Sequence, residues 1–426
     1  MKAKIIPILT FLSLFSIFFC SCEDTTYREY KGNRPVYMSY EDLRTSITEV
    51  QNVDLRNPGK IYFKDNYIFI IEELEGIHVF DNFNPSAPVK KTFVKVPGVV
   101  DMAISGNILY ADSFVDLVVL DVQDIENIHE VGRVKDILPY TIPPTENEFP
   151  IGNVDKEKGL VAGWELGTIK ERVYDNPIIY PVFKSQMDMR ESAFMSASSG
   201  VGSGGIGIGG SMARFGLKDK VLYLLDNNTL KLFDITVKAT PAKLFDVNPG
   251  SGIETMFLTG TNMFLGTTTG MIIYDISNPQ VLIRKSTYNH MRSCDPVVVD
   301  DTLAYITLRS GTNCGGVINS LDVVNIKNIS LPALVRSYPM TNPFGLGKDG
   351  DLLFICDGNA GLKVYDAADP KTISSHLIYT YPNIKAFDVI PIGDVLVLIG
   401  DDGLYQYDYS NVQNISLMST IAVVKN

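Results

Sequence analysis

The chain has 426 residues, 45% of them apolar and 20% charged, with 21 Tyr and 21 Phe against a single tryptophan, Trp164. That is the composition of a folded chain, longer than one compact core usually grows, so it either divides into domains or repeats a unit. A formal charge of −12 without a cluster of Lys and Arg excludes a phosphate-tracking surface, so nucleic acid is not expected as a partner.

Lys2 and Lys4 open the chain, followed by an apolar run from Ile5 to Phe19 and then Cys20-Ser21-Cys22. The run is about 15 residues, short of the roughly 20 a spanning helix needs, and reads as a signal peptide. Its end resembles the lipobox of bacterial lipoproteins, in which a peptidase cuts before a cysteine that carries lipid. Cys22 fits that role because Ser21 is small where the peptidase needs it, whereas Phe19 before Cys20 is not. The resemblance implies a lipoprotein signal peptide over residues 1–21, lipid on Cys22, and a place in the bacterial cell envelope, as an outer-membrane lipoprotein. Glu23 and Asp24 are similar to the surface-export signal of some Gram-negative lipoproteins. Residues 22–54 read as a lipidated polar tether and 55–426 as the folded body.

Within that body one short pattern recurs seven times, an apolar strand closing on Asp or Asn. The copies are Ile77-His78-Val79-Phe80-Asp81, Leu117-Val118-Val119-Leu120-Asp121, Leu230-Lys231-Leu232-Phe233-Asp234, Met271-Ile272-Ile273-Tyr274-Asp275, Leu321-Asp322-Val323-Val324-Asn325, Leu362-Lys363-Val364-Tyr365-Asp366 and Leu404-Tyr405-Gln406-Tyr407-Asp408. Their closing residues are separated by 40, 113, 41, 50, 41 and 42 positions. A second apolar strand precedes each copy, as in Tyr67-Ile68-Phe69-Ile70 and Val221-Leu222-Tyr223-Leu224. Tight-turn residues such as Ser105-Gly106-Asn107 stand before that second strand, and Asn84-Pro85, Asn278-Pro279 and Asp369-Pro370 follow the third. A fourth strand such as Val89 to Val96 completes the unit. The closing Asp is expected to cap the turn after it rather than to ligate a metal.

Four antiparallel strands in about 41 residues bury both faces only by packing against neighbours, and units of that kind pack radially. The expected fold is therefore all-β, a β-propeller. The sequence resembles the LVIVD-repeat family of bacterial cell-surface propellers over roughly residues 55–426, with Leu117-Val118-Val119-Leu120-Asp121 matching the motif almost letter for letter. The resemblance implies the fold and is silent on activity. The 113-residue interval leaves seven blades with an insertion at about 140–212. The alternative is an eighth, degenerate blade from Gly159–Leu166 and Thr168–Val173.

Strands alternate in direction, so the connection into strand a and the one from b to c share a rim. The insertion is expected on that rim, as are Cys294 and Cys314, which are expected to form a disulfide. Such a bridge closes a loop of about 20 residues and contributes roughly 3 kcal/mol. Cys356, at the end of an apolar strand, reads as a buried free thiol. Gly202, Gly204 and Gly207 fit GxGxxG, but a strand rather than a helix is expected next, so the stretch reads as a linker.

Where strand a begins, near the central channel, the repeat alignment places Lys60, Asp101, Arg214, Glu254 beside Thr255, Asp295, Gly345, and Asp388 near Lys385. Lys60, Asp101, Arg214, Glu254 and Asp295 are the ligand-binding candidates, set against the simpler view that they are solvated strand ends. Four scattered histidines and the lack of a GxSxG, P-loop or HExxH pattern give no catalytic residues, no metal site and no cofactor. The favoured reading is a non-enzymatic binding or scaffold module for a glycan or an envelope protein, tied to the membrane through its lipid. The alternatives are a glycan-active hydrolase or lyase at the channel mouth, and a structural accessory subunit of an outer-membrane assembly.

Overall fold

The structure is a computed structural model, and it describes residues 27–145, 147–173, 180–181, 208–209, 214–226, 228–267, 269–290, 297–300, 302–310, 318–400 and 402–424. It divides into two units, one from residues up to 38 and 145–180, the other from 39–144 and 181–426. No helix among the described residues is long and apolar enough to cross a membrane. Cys22, Cys294, Cys314 and the glycine-rich stretch around Gly204 lie outside the described residues.

The first unit is a ribbon. Tyr27–Met38 pairs antiparallel with Leu160–Arg172, from Tyr27 opposite Arg172 to Met38 opposite Leu160. Glu171 holds it together near one end, pairing with the Arg28 guanidinium at 2.6 Å and accepting from the Tyr30 hydroxyl and the Asn153 N–H. Two expectations change here. Residues 27–38, inside the stretch read as a tether, form a strand. The two short segments weighed as an eighth blade are one continuous strand, because Gly167 sits opposite Gly32 in the ladder rather than in a turn.

The second unit is a β-propeller of seven blades, each with strands a to d in sequential, antiparallel order. Blade 1 comprises Pro58–Lys64, Tyr67–Glu72, Gly76–Asp81 and Val89–Lys95. Blade 2 comprises Met102–Ser105, Ile108–Ser113, Asp116–Asp121 and His129–Val134, and blade 3 Phe215–Lys218, Val221–Asp226, Thr229–Asp234 and Ala242–Val247. Blade 4 runs through Ile253–Thr259, Asn262–Thr267, Gly270–Asp275 and Ile283–Asn289, and blade 5 through Val297–Asp300, Leu303–Leu308, Ser320–Asn325 and Ala333–Pro339. Blade 6 is Leu346–Asp349, Leu352–Cys356, Leu362–Asp366 and Leu377–Tyr381, and blade 7 Asp388–Ile392, Val395–Gly400, Gly403–Asp408 and Ser416–Ala422. Strands b and c are apolar on both faces because both are covered by neighbouring blades; Tyr110, Leu222 and Phe233, for instance, share one cluster across blades 2 and 3. The first strands of successive blades lie side by side around the axis.

Each of the seven closing residues does what the sequence predicts. The side chains of Asp81, Asp121, Asp234, Asp275, Asn325, Asp366 and Asp408 each accept the N–H two residues on, at 2.7–3.0 Å. Cys356 is the buried free thiol expected of it.

Blade junctions carry a second repeated device. A side chain of one blade donates to a backbone carbonyl at an equivalent place in the next blade's c-to-d turn: Tyr110 to Lys238, Tyr223 to Pro279, Ser286 to Ile329, Tyr338 to Pro370 and Tyr381 to Val412. Gln406 and Ser419 both reach Pro85 and so join blade 7 to blade 1. At the first junction Glu49, from the strand Thr48–Val50 that edges blade 1, accepts the Ile128 N–H of blade 2. The ring thus closes without an exchanged strand, aided by Leu55 packing with Phe387, Ile399 and Ile421. Tyr381 both donates to Val412 and accepts the Ile415 N–H. Tyr381→Phe is expected to cost about 1–2 kcal/mol in denaturant unfolding; a shift within error would show that the clamp contributes nothing.

Candidate functional site

The starts of the a strands in blades 1 to 3 converge on one carboxylate. In blade 1 the ladder between a and b shifts register between Pro58 and Ile61, a bulge that redirects Lys60. Asp101 and Arg214 directly precede the a strands of blades 2 and 3. The Asp101 carboxylate accepts from the Lys60 ammonium, the Tyr62 hydroxyl and the Arg214 N–H, each at 2.5 Å, and from the Met102 N–H at 2.7 Å. Behind it the Asp112 carboxylate accepts the Val100 and Asp101 N–H groups, and the Arg214 guanidinium stands 3.6 Å away.

Two cations and two carboxylates balance in this cluster, and its centre is closed off from water: Lys60 is 4% exposed and Asp101 0%. Burial pushes the Lys60 ammonium down, with Asp101 pulling it back, and pushes the Asp112 carboxyl up, with Arg214 opposing. The Tyr62 hydroxyl is pushed up by burial and by the adjacent carboxylates. Tyr62 and Asp112 escaped the sequence reading, Tyr62 because it looked like core; an acid inside the apolar run Leu109-Tyr110-Ala111-Asp112 was the available signal.

Of the five ligand-binding candidates the structure thus brings Lys60, Asp101 and Arg214 into one paired cluster, with only Arg214 partly exposed. Glu254 lies on a second bulge, in strand a of blade 4, with Thr255 beside it buried. Asp295 lies outside the described residues. Asp388 repeats the local geometry of Asp101, its carboxylate accepting the following N–H, from Val389, at 2.9 Å. No group of three or more metal-ligating side chains occurs among the described residues.

The LVIVD repeat family profile matches residues 98–136, which span blade 2, and 263–290, which span most of blade 4. The chain carries LVIVD repeats. None of the curated proteins matches it significantly. Solved structures similar to it include the computationally designed Ika8 protein, 9% identical, at a TM-score of 0.50 over 92% of this chain and 90% of that one. BamB from Moraxella catarrhalis is 8% identical at a TM-score of 0.47, covering 84% and 83%. Kluyveromyces lactis Hsv2 is 8% identical at 0.45, covering 85% and 98%. At such identities likeness to the designed protein shows the fold alone.

The repeated c strand also contributes to how the blades hold their rims. In blades 1, 3 and 6 the residue at the motif's second position meets an acid at the end of strand b: His78 with Glu72 at 3.1 Å, Lys231 with Asp226 at 3.7 Å, and Lys363 with Asp357 at 2.5 Å. Glu72 and Asp357 in turn each accept two successive N–H groups of the segment leading into strand a, from Arg56 and Asn57 and from Thr341 and Asn342. Asp112 does the same in blade 2, with Arg214 as its cation. The acids at the ends of these b strands therefore fix the entries to strand a in blades 1, 2 and 6.

Proposed function

We propose that the protein is a lipid-anchored propeller of the bacterial cell envelope, serving as a non-enzymatic binding scaffold for a glycan or a protein ligand. The observation that carries this reading is the set of cross-blade hydrogen bonds at every junction, which makes the ring a rigid platform whose surfaces are left for contacts. Asp101 and Asp112 are both engaged by cations and backbone donors, so neither offers the unsatisfied acid that a hydrolase or lyase at the channel mouth needs. The anchor is Cys22, and the outer membrane is its destination.

Two measurements on the full chain test the proposal. A clickable fatty-acid analogue is expected to label the protein in bacteria and to be lost in Cys22→Ser; equal labelling of both removes the anchor. The purified chain, in a detergent without a sugar headgroup, is then applied to a panel of host and microbial polysaccharides beside a crosslinking pull-down from envelope membranes. A saturable glycan or one recurrent protein partner supports the scaffold. Turnover of any panel glycan overturns it in favour of the enzyme.

A further inference from the structure

A short helix outside the repeats, Tyr40–Thr45, carries Arg44 in its last turn. Its guanidinium reaches the Asp116 carboxylate through Nε at 3.0 Å and Nη2 at 3.2 Å, and the Asp136 carboxylate through Nη2 at 2.9 Å. Asp116, which begins strand c of blade 2, is 0% exposed. Burial pushes its carboxyl up, but Arg44, the Asp136 N–H and Arg133 outweigh burial and hold it below the usual range. Arg133 bridges from Asp116 at 3.2 Å to both oxygens of Glu130, at 2.9 and 2.6 Å.

Above this chain of ion pairs lies a groove of about 410 Å³ lined by Arg44, Thr45, Ile47, Glu130, Val131 and Gly132. That volume is at the lower end of ligand pockets. Its polar groups are held in fixed positions by the ion pairs beneath. Arg44 Nη1 makes no bond among the described residues and is left to donate, while each Glu130 oxygen, bonded once, keeps capacity to accept. Val131 falls where the ladder between strands c and d shifts register. Gly132 is held to glycine by the next blade, since a Cβ there would stand 2.0 Å from the Ala239 carbonyl oxygen of blade 3.

The charges select among ligands. Arg44 and Arg133 face Asp116, Asp136 and Glu130, leaving one negative charge in excess, which disfavours an anion. Donors and acceptors side by side suit hydroxyl groups, which do both, and the exposed edges of Ile47 and Val131, whose other sides pack on the core, give the C–H groups of a sugar ring a narrow apolar rest. We propose that this groove on blade 2 binds a neutral hexose unit of a glycan, an inference that rests on the glycan arm of the scaffold reading and places its contact on the flank rather than at the channel mouth.

The test uses the full chain in a detergent without a sugar headgroup, titrated calorimetrically with hexasaccharides of α-1,4-, β-1,4- and β-1,3-linked glucose and of α-1,6-linked mannose. At least one is expected to saturate with a dissociation constant of about 1 mM or tighter, as ligand efficiencies allow for one or two rings. Thr45→Trp, an exposed position on the groove wall, is expected to weaken it about tenfold with thermal unfolding unchanged. Binding that survives this variant overturns the groove and leaves the glycan reading standing. Silence from all four sugars while the polysaccharide panel gives a hit overturns the groove alone, and silence in both overturns both.

Discussion

Asp101→Ala is expected to lower the stability of the propeller by about 3–5 kcal/mol, the cost of breaking a buried ion pair from one side. Four donors converge on this carboxylate, from Lys60, Tyr62, Arg214 and Met102, and none of its surface reaches water. Removing it also takes away the charge that opposes the burial of the Lys60 ammonium. Replacing both partners together, Lys60→Met with Asp101→Leu, is expected to recover only the part of the loss that comes from the stranded ammonium, since the Tyr62 hydroxyl and the Arg214 and Met102 N–H groups still lack their acceptor. Guanidinium unfolding of the two single variants and the double variant measures this. A cost for Asp101→Ala below about 1 kcal/mol would mean that the cluster is relaxed enough to admit water or a ligand, and would favour Asp101 as a binding residue. The same figures bear on any binding assay, because a ligand lost from an Asp101 variant is interpretable only when the ring is shown to be intact.

The fold was legible because its strongest signal is local. Strands b and c are covered on both faces, so they read as short apolar runs, and the residue that ends each c strand must cap its own turn, so an Asp or Asn stands there every time. The ribbon was not legible. Tyr27–Met38 buries little, lacks clean alternation, and finds its partner more than a hundred residues away in Leu160–Arg172. The two segments weighed as an eighth blade meet at Gly167, and only the ladder, with Gly32 opposite, shows one strand passing through. At the candidate site the repeat alignment found Lys60, Asp101 and Arg214, since equivalent positions in neighbouring blades meet around the axis. It could not say that they meet each other, because Arg214 bonds to Asp101 across 113 residues of chain. The junction clamps were hidden for another reason: their acceptors are backbone carbonyls, and a carbonyl has no letter in the sequence.

Stability is expected to fall as pH drops from about 6.5 toward 5, and His78 is the residue expected to cause it. Its ring is 0% exposed, Nε2 meets Glu72 at 3.1 Å, Nδ1 has no partner among the described residues, and the Phe93 ring centroid lies 4.7 Å away. Burial lowers its pKa, with the Glu72 hydrogen bond opposing, Lys90 lowering it further, and Asp54 raising it. The folded chain therefore keeps a neutral imidazole that donates Nε2–H to Glu72, while the unfolded chain binds a proton below its ordinary value. Between those two points the unfolded state holds more protons, so stability drops as pH falls, by at most about 1.4 kcal/mol per unit, until the folded His78 is itself protonated. Other groups act in acid too. The capping carboxylate of Asp275, held down to about 2 chiefly by the Ser277 N–H, and those of Asp234 and Asp408 lose their stabilising bonds at lower pH. Glu75, Asp112 and Asp226, raised by burial, work in the opposite direction because their folded forms take up protons first. His78→Gln isolates the imidazole, since glutamine donates to Glu72 without titrating and leaves the other groups common to both proteins. Urea unfolding at pH 7 and pH 5 is expected to show a steep loss in the wild type and a shallower one in the variant. Parallel losses would place the acid sensitivity in the carboxylates and leave His78 as a packing residue.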